Sequence, residues 1–151
     1  MSDLKQSEKS GVGGWLLLLC CTLTIFSPLK TLYYLNSSYN GIAPLFDLHP
    51  SLKNLFNIDA FLSIILMILS MRAGFALWEI KQNAVKIAKN YFWIFMVYSV
   101  VALFLPLIAG LPVDVNDAIG FAQSLIYIGI WYSYLDVSKR VKATYYSERS
   151  E

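Results

Sequence analysis

The side chains able to do chemistry in this 151-residue chain are few, and their spacing is poor for catalysis. His49 is the one histidine, and the two cysteines, Cys20 and Cys21, are adjacent. Neighbouring helical residues point about 100° apart, so a bridge between these thiols would be badly strained. A disulfide-forming membrane oxidoreductase needs Cys-x-x-Cys pairs, so Cys20 and Cys21 are expected to be small apolar packing residues. His49 lies in Asp47-Leu48-His49-Pro50-Ser51. As a functional residue it would make a pH-sensitive or metal-binding loop; the preferred expectation is a surface turn, with Ser51 capping a short interfacial helix. One histidine and no closely spaced carboxylates within apolar sequence make neither a metal centre nor an acid–base pair. No catalytic, metal or cofactor residue is expected, and no enzyme.

Charges inside apolar stretches are the remaining pointers, because burying one costs several kcal/mol unless it is paired or reaches water. Three qualify: Lys30, Asp59 and Arg72. Lys30 is placed to pair with Asp59, or with Asp114 or Asp117, across a helix bundle. A transporter would use such a pair as a gate; a purely structural account has Lys30 snorkelling outward while Asp59 and Asp117 serve helix first turns. Arg72, with Glu79 seven residues on, would hold an anion or a lipid headgroup between helices, or would mark the inner end of its helix. The interfacial role is preferred for Arg72, and it starts that helix earlier, near Leu52 or Leu55.

The elements that carry these residues are long and apolar. Hydrophobic residues make up 57% of the chain and charged ones 15%, well outside the range of an ordinary soluble domain. Four segments, about 15–34, 59–78, 91–111 and 118–135, each approach the ~20 residues that cross a ~30 Å hydrocarbon core. The expected fold is all-α: a single four-transmembrane-helix bundle with an outer loop over 36–58 and a cytoplasmic tail over 136–151. No small-xxx-small pattern dominates any one helix, so self-association is left open. Pro28 and Pro106 should bend their helices by freeing a carbonyl.

Basic residues set the orientation, since cytoplasmic loops accumulate Lys and Arg. Lys5, Lys9, Lys81, Lys86, Lys89, Lys139, Arg140, Lys142 and Arg149 all fall on one side of a four-crossing arrangement, which makes both termini cytoplasmic. Trp15, Trp78, Tyr91, Trp93 and Trp131 mark the inner interface and Tyr33 and Tyr34 the outer one. Lys5 and Lys9 ahead of an apolar run suggest a leader peptide, but no small-x-small cleavage site follows, so an uncleaved first helix is expected. The loop over 36–58 is not a plain polar linker. Its apolar run from Ile42 to Leu48, after the Asn40-Gly41 turn, would dip into the headgroups or cap the bundle.

Net charge is only +2, too small to suggest nucleic acid, and no nucleic-acid partner is expected. Lys139, Arg140 and Lys142 are the candidate contacts for anionic lipid or for a partner. Gly11-Val12-Gly13-Gly14-Trp15-Leu16 at the front, and Tyr132, Tyr134 and Ser138-Lys139-Arg140-Val141-Lys142-Ala143-Thr144-Tyr145 at the back, are the least generic segments. With the four-helix layout they resemble the YdgK-like family of small bacterial inner-membrane proteins. That resemblance implies a multi-pass protein of the bacterial inner membrane and supplies no reaction or ligand. The function expected is non-enzymatic: an accessory or interaction protein that binds membrane lipid, another membrane protein or its own copies. The alternative is a small oligomeric transporter or channel for a solute or ion.

Overall fold

A computed structural model describes residues 11–47, 50–108, 110 and 112–146. His49 and the outlying basic residues Lys5, Lys9 and Arg149 lie outside the described residues, as does the expected end of the third segment at Leu111. All described regular structure is helical. Helix α1 runs Trp15–Leu45, α2 Pro50–Trp78, α3 Ala84–Ile108, α4 Val115–Val137 and α5 Lys139–Tyr145. Successive long helices pack on one another, α1 on α2, α2 on α3 and α3 on α4.

Two of these helices are longer than the apolar segments alone suggest. The stretch 36–58, expected as an outer loop, is helical to Leu45 and again from Pro50. Asn40 and Gly41 therefore lie within helix, where no strand pairing calls for a turn and a single glycine costs only about 1 kcal/mol. Tyr39, Phe46 and Phe56 pack together with ring centroids 5.8–6.1 Å apart, tying the two helix ends to each other. Pro50 at the first position of α2 suits its fixed φ and missing N–H, so Ser51 caps no separate helix. At 31 and 29 residues, α1 and α2 exceed the length that a ~30 Å hydrocarbon core requires.

Pro28 reshapes α1 through hydrogen bonding. Thr22–Phe26 form a π-helical segment in which the Ser27 N–H bonds the Thr22 carbonyl. In that register the Leu23 carbonyl would look to residue 28, whose proline has no N–H to give. Ser70 of α2 supplies the missing donor, its Oγ 2.8 Å from the Leu23 oxygen. One turn further along α2, a Cβ added to Gly74 would sit 2.4 Å from Thr24 Cγ2, so the two helices touch at their backbones. Ser70 and Gly74 thus form a small-xxx-small pair that acts within the chain.

Turns at the end of the bundle that holds Trp15, Trp78 and Leu135, called inner and the opposite end outer as position labels only, complete the frame. The α2 terminus closes with the Ile80 N–H on Leu77 O and the Lys81 N–H on Ala76 O, the paired bonds of a Schellman motif. Ile80 occupies its left-handed position at φ 50°, where glycine is usual and a β-branched residue is strained. Ser138 ends α4 in extended conformation and accepts the Val141 N–H at the start of α5. Helix α5 then docks on two segments: the Gly11 N–H, ahead of α1, donates to Thr144 Oγ1 at 3.1 Å, and Tyr145 Oη donates to Leu77 O of α2 at 2.7 Å. Arg140 lays its guanidinium where a side chain on Gly13 or Gly14 would have to go.

The core is confined to the inner half. Leu16, Leu19, Cys20 and Leu23 of α1 meet Leu66, Ala73 and Leu77 of α2. Ala84, Ala88 and Phe92 of α3 and Ile128, Trp131 and Leu135 of α4 close the other side. The outer part of α1, Ser27–Ile42, buries no residue and packs along α2, with at most isolated contacts to α3 or α4.

Candidate functional site

Above this core the helices stand apart around a cavity of about 850 Å³. Leu66, Tyr91, Phe95 and Tyr127 line its inner part. Beneath them a relay of rings runs from Tyr127 to Trp131 at 6.4 Å and on to Trp15 at 6.3 Å, closing the bundle toward its inner end. The cavity therefore opens in the outer half. Trp15 and Trp131 pair α1 with α4, few other contacts join these two helices, and side chains of both line the cavity.

Polar groups converge on the cavity from all four helices. Tyr98 Oη of α3 donates to Asp59 Oδ1 at 2.8 Å, and Tyr34 Oη of α1 donates to Asp59 Oδ2 at 3.3 Å. Ser63, one turn inward from Asp59, shares a 2.9 Å hydrogen bond with the Tyr98 hydroxyl. The Asp59 carboxylate thus holds one phenol on each oxygen and keeps about two of its ~four acceptor positions open. Lys30 lines the same cavity one helical turn inward of Tyr34. It is 15 residues from Trp15, which places it about 22 Å along the helix.

Lys30 and Asp59, singled out by depth, are brought to one cavity, yet they are not an ion pair. Among the described residues the salt bridges are Lys81–Glu79 and Lys89–Asp136, and neither Lys30 nor Asp59 takes part in one. The first-turn role fits Asp117, whose Oδ2 accepts the Asp114 N–H at 3.2 Å at the start of α4. It does not fit Asp59, nine positions beyond Pro50. Arg72 goes elsewhere. It shares an exposed face with Phe61, Ile65, Ile68 and Phe75, opposite the packed face of Ser63, Leu66, Ser70, Ala73 and Leu77. It neither lies between helices nor ends α2, which continues to Trp78, and Glu79 is paired with Lys81.

At the inner end, Lys139 and Lys142 are exposed, whereas Arg140 packs on the glycines before Trp15. Cys20 is buried in the core and both thiols are free. Among the described residues no group of three or more His, Cys, Asp or Glu is placed to hold a metal ion. Ser99 and Ser124 bond to carbonyls of their own helices at 2.9 Å. Tyr34, Ser63 and Tyr98 were not foreseeable as a set. The available signal was the Asp59, Ser63 and Ser70 spacing, which repeats polar groups along one face of an otherwise apolar helix.

Three helices long and apolar enough to cross a membrane, with many large hydrophobic side chains on their outward faces, define a helical membrane protein. The chain belongs to the family described as a protein of unknown function (DUF2569), whose model matches residues 9–146. No curated protein and no solved structure matches it.

Proposed function

We propose that this protein crosses the bacterial inner membrane four times, with both ends cytoplasmic, and binds a membrane lipid in its outer cavity. It works without catalysis, as an accessory protein that holds or presents lipid or docks a membrane partner. The observation that carries this is the cavity itself, which polar and apolar side chains of all four long helices line together, with few contacts joining α1 to α4 beside it. A lipid entering from the side leaves its chains among apolar surfaces while its headgroup meets hydroxyls and charges that would otherwise need water. α4, with 23 residues, is long enough for a fourth crossing, and its polar residues Asn116, Gln123 and Ser124 line the cavity rather than the core. Lys81, Lys86, Lys89, Lys139 and Lys142 gather at the closed end, in keeping with a cytoplasmic inner side. The likeness of both chain ends to YdgK-like proteins supports the same membrane.

Native mass spectrometry of the protein released from lipid nanodiscs tests this. Retained lipid is expected, and it should be lost in Gly120→Trp, because Gly120 lines the cavity and a side chain there meets nothing within 4 Å. Absence of lipid from the wild-type particle, or equal retention by a folded Gly120→Trp variant, sinks the proposal.

A small oligomeric transporter is the second reading, favoured by the π-helical segment and Pro28, which place a hinge in α1 beside the cavity. Solute flux abolished by Asp59→Asn in reconstituted vesicles would support it.

A further inference from the structure

We infer that the headgroup taken by this cavity is a zwitterion, a primary ammonium joined by a short link to a phosphate, as in an aminophospholipid such as phosphatidylethanolamine. This rests on the lipid-binding proposal and specifies its ligand. Three charged residues line one cavity; Asp117 serves the first turn of α4, which leaves two opposite charges, Lys30 on α1 and Asp59 on α2, without a salt bridge to each other or to another described residue. A wholly anionic ligand would satisfy Lys30 and leave a carboxylate beside it. A wholly cationic ligand would do the reverse. Only a ligand carrying both signs satisfies both charges, and a charge held at membrane depth without a partner is what such a site must avoid.

The stereochemistry of Asp59 selects among zwitterions. Tyr34 and Tyr98 each give a hydroxyl proton to one carboxylate oxygen, so the carboxylate is pinned and its open acceptor positions face outward from that clamp. An ammonium with three N–H donors bonds to those positions, whereas a trimethylated one has no proton to give. Tyr34 touches Asp59, and Lys30 lies one turn from Tyr34 on the same helix face and lines the same cavity. In such a headgroup the phosphate stands two carbons from the ammonium, and the lysine ammonium is a compact phosphate partner. Apolar side chains around the cavity, Phe26, Phe56 and Leu103 among them, leave room for the start of the acyl chains.

The full-length protein is placed in nanodiscs of phosphatidylethanolamine, phosphatidylcholine and phosphatidylglycerol in equal amounts, and the lipid it retains is read by native mass spectrometry. Retention of phosphatidylethanolamine over phosphatidylcholine by about tenfold is expected, the scale of one charge-assisted hydrogen bond. Asp59→Asn should bring that ratio close to one with lipid still retained, and Lys30→Gln should lower retention of every phospholipid while leaving the ratio. Should Asp59→Asn not fold, the wild-type protein with singly and doubly N-methylated phosphatidylethanolamine decides instead, because retention should fall with each lost N–H. Equal retention of the three lipids, an unchanged ratio in Asp59→Asn, or indifference to N-methylation overturns the inference while leaving lipid binding intact. No retained lipid of any kind removes the underlying proposal instead. Soluble phosphoethanolamine at millimolar concentration should not displace the lipid; displacement would assign the same two contacts to a free zwitterion and overturn the lipid source.

Discussion

The inner and outer halves of this bundle are built from the same four helices, but one is closely packed and the other is hollow. Lipid is as apolar as a leucine side chain, so nothing like water exclusion forces membrane helices together. They close where small residues let backbones approach and where a hydrogen bond crosses. The inner half has both: Ser70, Ala73, Gly74 and Ala76 on α2, Ala84 and Ala88 on α3, and the Ser70 bond to Leu23. Facing surfaces in the outer half carry Lys30, Tyr34, Phe56, Tyr98 and Phe121 instead, and the helices separate around them. Small residues make the scaffold, and large or polar ones make the site.

Two glycines give the sharpest way to break that contrast. Gly74→Val places its Cβ within 3 Å of Thr24 and should destabilise the protein by about 3 kcal/mol, seen as a lowered melting temperature in detergent. Gly120→Val, which meets nothing within 4 Å, should shift it far less. A comparable loss at both positions would show that the outer half is as closely packed as the inner.

Serines probe the same contrast more gently. Ser70→Ala leaves the Leu23 carbonyl without a donor and should cost about 1 kcal/mol or more, because the proline cannot compensate. Ser99→Ala, whose hydroxyl only doubles onto its own helix, should stay within about 0.5 kcal/mol of wild type. Denaturant unfolding of the two variants side by side measures the difference.

The inner turn offers a gain in stability. Ile80 holds a left-handed backbone conformation that a β-branched residue resists, so Ile80→Asn should stabilise by about 1 kcal/mol. The Tyr145 bond to Leu77 should persist in that variant, and slower amide exchange at the end of α2 would report the gain.

The smallest effect belongs to the outer start of α4. Asp114 is held below the ordinary carboxylate range, chiefly by the Asn116 side-chain amide 2.9 Å away. A lowered folded value means that its contribution is present above the unfolded pKa and is lost as pH falls through the folded one. Acidification below about pH 4 should therefore fray the first turn of α4. Asn116→Ala should raise the midpoint of that fraying, followed by NMR shifts of the Asp117 amide.

Much of the candidate site was legible, though not its connections. Depth within apolar sequence was enough to single out Lys30 and Asp59, because a charge there must have a purpose whatever the fold. The same rule singled out Arg72, which lies on the outward face of α2 and away from the cavity. Depth along a helix is a property of the sequence, but facing is decided by the neighbours. For Asp59 the sequence offered a basic partner, and the partners turned out to be phenols, whose role depends on α1 and α3 flanking α2 at that level.

Composition and segment length by themselves determined an all-helical chain of membrane type, since a run of apolar residues satisfies its backbone in lipid only as a helix. Proline position told where α1 would lose a hydrogen bond, because the missing N–H is a covalent fact. Only the tertiary structure decided that Ser70 would replace it and that α5 would dock on the segment before α1 through Arg140 and Thr144 and on α2 through Tyr145. It alone placed Lys30 and Asp59 on one cavity without a salt bridge to any described residue, because whether two helices touch depends on the shapes of both surfaces, and neither helix carries the other's.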